Sequence, residues 1–171
     1  MIQEYTQYTD VLVLGSGPSG FCAAYTAAKL GAKVLLVEQN GDVGGISTSG
    51  LMSHWTGSCG SPLYYEILRR SAEKNEGEHH GEITIYIDPE KLKTLYLEML
   101  EEVGCDLMLY TFAEDAIVEG DELKGVSVIN KTGRTKIFAK VIIDATGDGD
   151  IAAKAEDRAE TIYEIADLTY R

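Results

Sequence analysis

The chain has 171 residues, 44% of them hydrophobic, which suits one domain with a proper core. Its net charge of −13 argues against nucleic acid and against anionic membranes as partners. No apolar run approaches a membrane span, and residues 1–10 lack the basic start and apolar core of a signal peptide.

The cysteines, Cys22, Cys59 and Cys105, stand far apart with no Cys-x-x-Cys. A cytoplasmic protein with reduced thiols, no disulfide framework and no zinc site is expected. In chain order, Asp10 to Leu14 reads as a strand, followed by the turn Gly15-Ser16-Gly17-Pro18-Ser19-Gly20. A helix rich in small residues follows from Pro18 to Leu30 and stops at Gly31. The run Val34-Leu35-Leu36-Val37 closes on Glu38, about 20 residues beyond Gly17. Strand, glycine turn, helix, strand and acid at this spacing make a dinucleotide-binding βαβ unit. Gly15 permits the tight turn, Gly17 lets backbone approach a pyrophosphate, and Gly20 lets helix pack on strand. Glu38 is placed to accept hydrogen bonds from ribose hydroxyls; the plainer alternative is a solvent-exposed strand end.

Residues 39–60 hold six glycines, too many for regular structure, and suggest backbone lying against a ligand or a surface loop. Pro62 to Ala72 reads as a helix, and Glu73 to Gly81 as a charged loop whose His79 and His80 are solvated. Asp88 caps a helix with Pro89 at its first position, carrying Leu92, Leu95, Leu97 and Leu100 to Gly104. Asp106 to Tyr110 is the next strand.

Then the period changes. Ala116 to Val118, Val126 to Ile129 and Lys136 to Phe138, separated by turns at Gly120-Asp121 and Thr132-Gly133, read as a β-meander. Val141 to Ile143 reads as a separate short buried strand leading into Asp144-Ala145-Thr146-Gly147-Asp148-Gly149-Asp150. The tail, Ile151 to Arg171, is compatible with a helix. Asp148 and Asp150 read better as caps of that helix than as ligand contacts.

In this order the Gly15 to Gly20 turn, Glu38-Gln39, Gly44-Gly45-Ile46-Ser47-Thr48-Ser49-Gly50 and Ala145-Thr146-Gly147-Asp148 resemble the N-terminal part of an FAD-dependent oxidoreductase of the glutathione-reductase-like superfamily. The resemblance covers residues 10 to about 155. It implies an α/β fold: a Rossmann-like FAD-binding domain whose parallel sheet carries helices on one face and an inserted β-meander on the other. It also implies that Gly15, Ser16, Gly17, Pro18, Ser19 and Gly20 hold the FAD pyrophosphate, with Glu38 on the adenosine ribose and Gln39 beside it. Gly44, Gly45, Ser47, Thr48, Ser49 and Gly50 would wrap the ribityl chain, and the Ala113 backbone would contact adenine. Ala145, Thr146, Gly147 and Asp148 would close the site near the pyrophosphate.

Relatives of this kind are longer, so residues 1–171 are expected to form an incomplete FAD-binding domain without a substrate domain. The chain alone is then expected not to turn over its small-molecule substrate, and no acid–base residue is nominated. His54, Trp55 and Cys59 read as structural. Leu51, Met52 and Trp55 are expected to lie uncovered, inviting self-association or a completing subunit. An NAD-linked Rossmann dehydrogenase and a non-catalytic FAD-binding remnant are the alternatives.

Overall fold

A computed structural model of the chain describes residues 4–52, 54–56, 60–75 and 84–157. Cys59, His79, His80 and the tail beyond Asp157 lie outside the described residues. The elements run β1 (Glu4–Leu14), α1 (Pro18–Lys29), β2 (Val34–Val37), β3 (His54–Thr56), α2 (Pro62–Asn75), β4 (Thr84–Tyr86), α3 (Pro89–Glu102), β5 (Asp106–Met108), β6 (Phe112–Glu119), β7 (Glu122–Asn130), β8 (Gly133–Asp144) and α4 (Asp150–Glu156). A six-stranded sheet has the order β5-β2-β1-β8-β7-β6. Its β5, β2, β1 and β8 are parallel, and β7 and β6 continue it antiparallel. β3 and β4 form a separate antiparallel pair.

Alternation along β1 and β2 sends side chains to two cores. Val13, Val34 and Leu36 face α1 and α3, where Phe21 stacks on Tyr96 with ring centroids 3.8 Å apart. Leu12, Leu14, Leu35 and Val37 face the meander residues Ala116, Val126, Val128 and Ile137. Because both faces of β2 are covered, its four residues are all apolar and all buried.

The helix stripe on α3 is Leu92, Leu95, Tyr96, Met99 and Leu100, the i, i+3, i+4 set. Leu97 is off the stripe and 40% exposed. Asp88 accepts from the amides of Glu90 and Lys91, as its capping position predicts.

The structure departs from the sequence reading at β1, β8, β5 and α4, and α2 runs on to Asn75, past the expected end at Ala72. β1 begins at Glu4, because its first half pairs with Arg134 to Ala139 of β8. The strands expected at Lys136 to Phe138 and at Val141 to Ile143 are one strand, β8, whose first half pairs with β7 while its whole length follows β1. Lys140, which looks like an interruption, ion-pairs with Asp10 across that junction at 2.6 Å. Val141 is accordingly 52% exposed rather than buried. β5 ends at Met108, leaving Tyr110 in a turn. α4 packs on the meander side through Ile151 and Ala155, so the helices are not all on one face.

Candidate functional site

The carboxyl ends of β1, β2 and β8 meet at one edge of the sheet, where open α/β sheets bind their ligands. The Gly15 amide donates to Val37 O and the Ala145 amide to Leu14 O, each at 2.8 Å, so the glycine turn is fixed between the neighbouring strand ends.

Space explains the glycines here. Gly15 has φ +88, and a Cβ on it would lie 2.3 Å from the Ala145 carbonyl oxygen. A Cβ on Gly20 would lie 1.8 Å from Gly15 O and 3.1 Å from the Ala145 Cβ. Helix α1, strand β8 and the turn thus touch backbone to backbone. Gly17 is different: a Cβ there meets nothing within 4 Å. It is the N-cap of α1 and supplies no side-chain hydrogen bond to the first turn. Open space above the uncapped amides of a twelve-residue helix fits a pyrophosphate.

Glu38 is 5% exposed, which removes the solvent-exposed alternative. Its Oε2 accepts from the Ser16 amide (2.8 Å) and Ser16 Oγ (2.7 Å), and its Oε1 accepts from the Asn40 amide (2.7 Å). The carboxylate therefore ties the glycine turn to the end of β2, with acceptor capacity left for one further donor. Gln39 beside it is exposed. That Ser16 is the partner of Glu38 was not foreseen; a hydroxyl between two glycines, facing a buried acid, was the available signal.

Residues 44–52 are more ordered than six glycines suggested. The Gly44 amide donates to Ser16 O, and a single 3-10 turn spans Gly45–Ser47. Fully buried Thr48 donates through Oγ1 to Val43 O at 2.7 Å. Its hydroxyl closes the loop from within, while Ser49 Oγ reaches Asp42 at 3.5 Å. A Cβ on Gly45 would lie 2.9 Å from the Gly17 Cα, so this loop lies directly against the glycine turn. Ile46, Leu51 and Met52 are exposed on its outer side, whereas Trp55 is half-buried and stacks on Tyr64.

At the end of β8 the capping assignment is corrected. Asp144, not Asp148 or Asp150, receives the first amides of α4: Oδ2 accepts from Ile151 (2.9 Å) and Ala152 (2.8 Å). Its Oδ1 accepts from the Thr146 amide and Thr146 Oγ1, and that hydroxyl oxygen accepts from the Asp150 amide. Negative charge at a helix start explains the choice, since Asp144 is fixed by β8 and reaches the first turn from outside. An acid at a strand end with Thr two residues on was the signal. Thr146 shapes the turn, while Gly147 and Asp148 are exposed on it. Asp144→Ala is expected to cost about 2–4 kcal/mol, since two amides of α4 lose a charged acceptor; urea unfolding measures it.

Ala113 lies within the meander itself, on β6, paired with Val128. Burial pushes the Cys105 thiol up to about 11, which keeps it protonated and unreactive. Among the described residues no group of three or more His, Cys, Asp or Glu could hold a metal ion, and no helix is long and apolar enough to cross a membrane.

A family model of FAD-dependent oxidoreductases matches residues 10–162. The chain belongs to that family. Its cofactor is FAD. Among curated relatives, the digeranylgeranylglycerophospholipid reductase of Methanosarcina acetivorans is 28% identical over 152 residues, covering 81% of this chain and 37% of its own length. The thiamine thiazole synthase of Methanococcus aeolicus is 31% identical over 170 residues, covering 90% of this chain and 60% of its own length. A solved geranylgeranyl bacteriochlorophyll reductase-like protein from Thermoplasma acidophilum superposes with a TM-score of 0.67 at 19% identity, over 94% of this chain and 44% of that one. The last shows the fold alone. The family match supersedes the NAD-linked alternative, and the meander between β5 and the Ala145-Thr146-Gly147 turn agrees with it.

Proposed function

We propose that residues 10–162 are the FAD-binding portion of an oxidoreductase acting on a small molecule. FAD, when bound, supplies the two-electron redox chemistry. The chain's own residues bind and orient it. Gly15 to Gly20 receive the pyrophosphate, and Glu38 the adenosine ribose through its remaining acceptor position. Gly44 to Gly50 run along the ribityl chain, while Ala145, Thr146, Gly147 and Asp148 close the phosphate side. The observation that carries this reading is the contrast within one turn: Gly15 and Gly20 are packed against backbone, and Gly17 alone of the three opens on free space.

The chain spans 37–39% of the length of the lipid reductases it matches. On this reading the groups that contact substrate come from structure beyond these 171 residues, in a further segment of the polypeptide or in a partner subunit. The exposed Ile46, Leu51 and Met52 beside the cofactor loop suit such a contact or a homo-oligomer. The setting is proposed to be cytoplasmic, in keeping with the wide spacing of the three cysteines in the sequence.

The test is cofactor retention. Protein desalted after incubation with equal FAD, FMN and NAD is expected to keep FAD in clear excess: over FMN because the βαβ unit grips an ADP half that FMN lacks, and over NAD because Gly44 to Gly50 hold a ribityl chain that NAD lacks. Chromatography of the released nucleotide reads the outcome, and equal retention of FMN and FAD would sink the assignment.

A further inference from the structure

Neither the core nor the glycine turn accounts for Tyr110. It follows β5 with φ +50, in the left-handed region that disfavours any residue carrying a Cβ. Burial does not offset that strain, because the residue is 73% exposed. Its position is nevertheless tightly specified. The Tyr110 amide donates to Asn40 O (3.0 Å), and the Asn40 amide donates to Glu38 Oε1 (2.7 Å). The next residue, Thr111, donates its amide to Glu38 O (2.9 Å). One residue, Asn40, therefore separates the buried carboxylate from the Tyr110 backbone.

The ring has a seat. A Cβ on Gly41 would lie 2.1 Å from the Tyr110 hydroxyl oxygen and 2.8 Å from ring atom Cε1. Gly41 is not in the left-handed region, so its backbone does not require glycine; the ring does. A strained residue, exposed yet held over bare backbone beside a ligand-facing acid, is the pattern of strain kept for binding.

The geometry points to Tyr110 as a stacking platform for the adenine of FAD, with Gly41 as its seat. The inference rests on the reading that Glu38 holds the adenosine ribose: adenine hangs on that same ribose, so a flat aromatic surface beside the acid lies within its reach. Tyr110 is a positioning residue here, adding affinity through the π-face while the Ala113 backbone meets the base edge.

Calorimetric titration of FAD and of ADP tests this on Tyr110→Phe, Tyr110→Gly, Tyr110→Asn, Gly41→Ala and the double variant Gly41→Ala with Tyr110→Gly. Tyr110→Phe is expected to bind both ligands as the unsubstituted protein does. Tyr110→Gly and Tyr110→Asn, which suit the left-handed backbone, are expected to weaken both about tenfold without lowering Tm. Gly41→Ala lifts the ring off its seat and is expected to weaken both; the double variant is expected to be no worse than Tyr110→Gly. FAD and ADP binding by Tyr110→Gly and Tyr110→Asn at unsubstituted affinity would overturn the platform and leave the Glu38 reading intact. Failure of the unsubstituted protein to bind either ligand would overturn both.

Discussion

Gly17→Val is expected to abolish FAD binding while the protein stays folded. The backbone at Gly17 has φ −59, which valine adopts without strain, and the added side chain points into space where a Cβ has no neighbour within 4 Å. The stability cost is limited to a poorer N-cap, since glycine is only a few tenths of a kcal/mol below the favoured caps and valine ranks lower. The branched side chain would occupy the volume assigned to the pyrophosphate oxygens and cover the amides of the first turn of α1. Titration by flavin fluorescence, with far-UV circular dichroism as control, reads both halves. A Gly17→Val protein that binds FAD at unsubstituted affinity would remove the phosphate from this turn.

The neighbouring Gly20→Ala is expected to do the opposite, destabilising the fold itself. Helix propensity alone predicts a gain of about 1 kcal/mol, because glycine in a helix is poorer than alanine. The steric term outweighs it. The new Cβ would sit 1.8 Å from the Gly15 carbonyl oxygen and 2.9 Å from its carbon, and both atoms are backbone held by the hydrogen bond from Gly15 to Val37. Relief requires α1 to move off β1 and β8, disturbing the core that Phe21 and Ala24 form with Val13 and Leu36. A net loss of roughly 3 kcal/mol is expected from such overpacking, measured by urea unfolding without FAD. A stability equal to or above that of the unsubstituted protein would show that α1 is free to shift.

How much of this was legible in the sequence depended on how local the determinant was. The turn from Gly15 to Gly20 and Glu38 were readable because strand, turn and helix periods follow one another without interruption. The cap at Asp88 was readable for the same reason. β8 was not: Ala139 and Lys140 break the apolar pattern because the strand there passes from its β7 neighbour to the exposed stretch beside Asp10, and only the pairing shows that it continues. Asp148 and Asp150 looked like caps because they precede the helix, yet Asp144 took the role from the fixed end of β8. The link between Ser16 and Glu38, and the seat of Tyr110 on Gly41, join residues far apart in sequence, and neither has a periodic signature. Within the site, the glycines of the turn were the legible part and the packing that orients the acid was not.

The full-length pairing of β1 with β8 has a kinetic consequence. A ribosome would release β1 well before the strand that completes its second edge, since more than a hundred residues separate β1 from β8. At ordinary synthesis rates that interval is on the order of ten seconds. During it β2 flanks only Val11 to Leu14 of the long Glu4–Leu14 strand, and the other side is an open ladder, a configuration prone to pairing with a foreign chain. Closing a loop of that length also puts much of the ordering cost before its reward, which places this fold among the slower ones to form. Loss of everything from Gly133 onward would make that exposure permanent, leaving the β8-facing edge of β1 without its ladder partner.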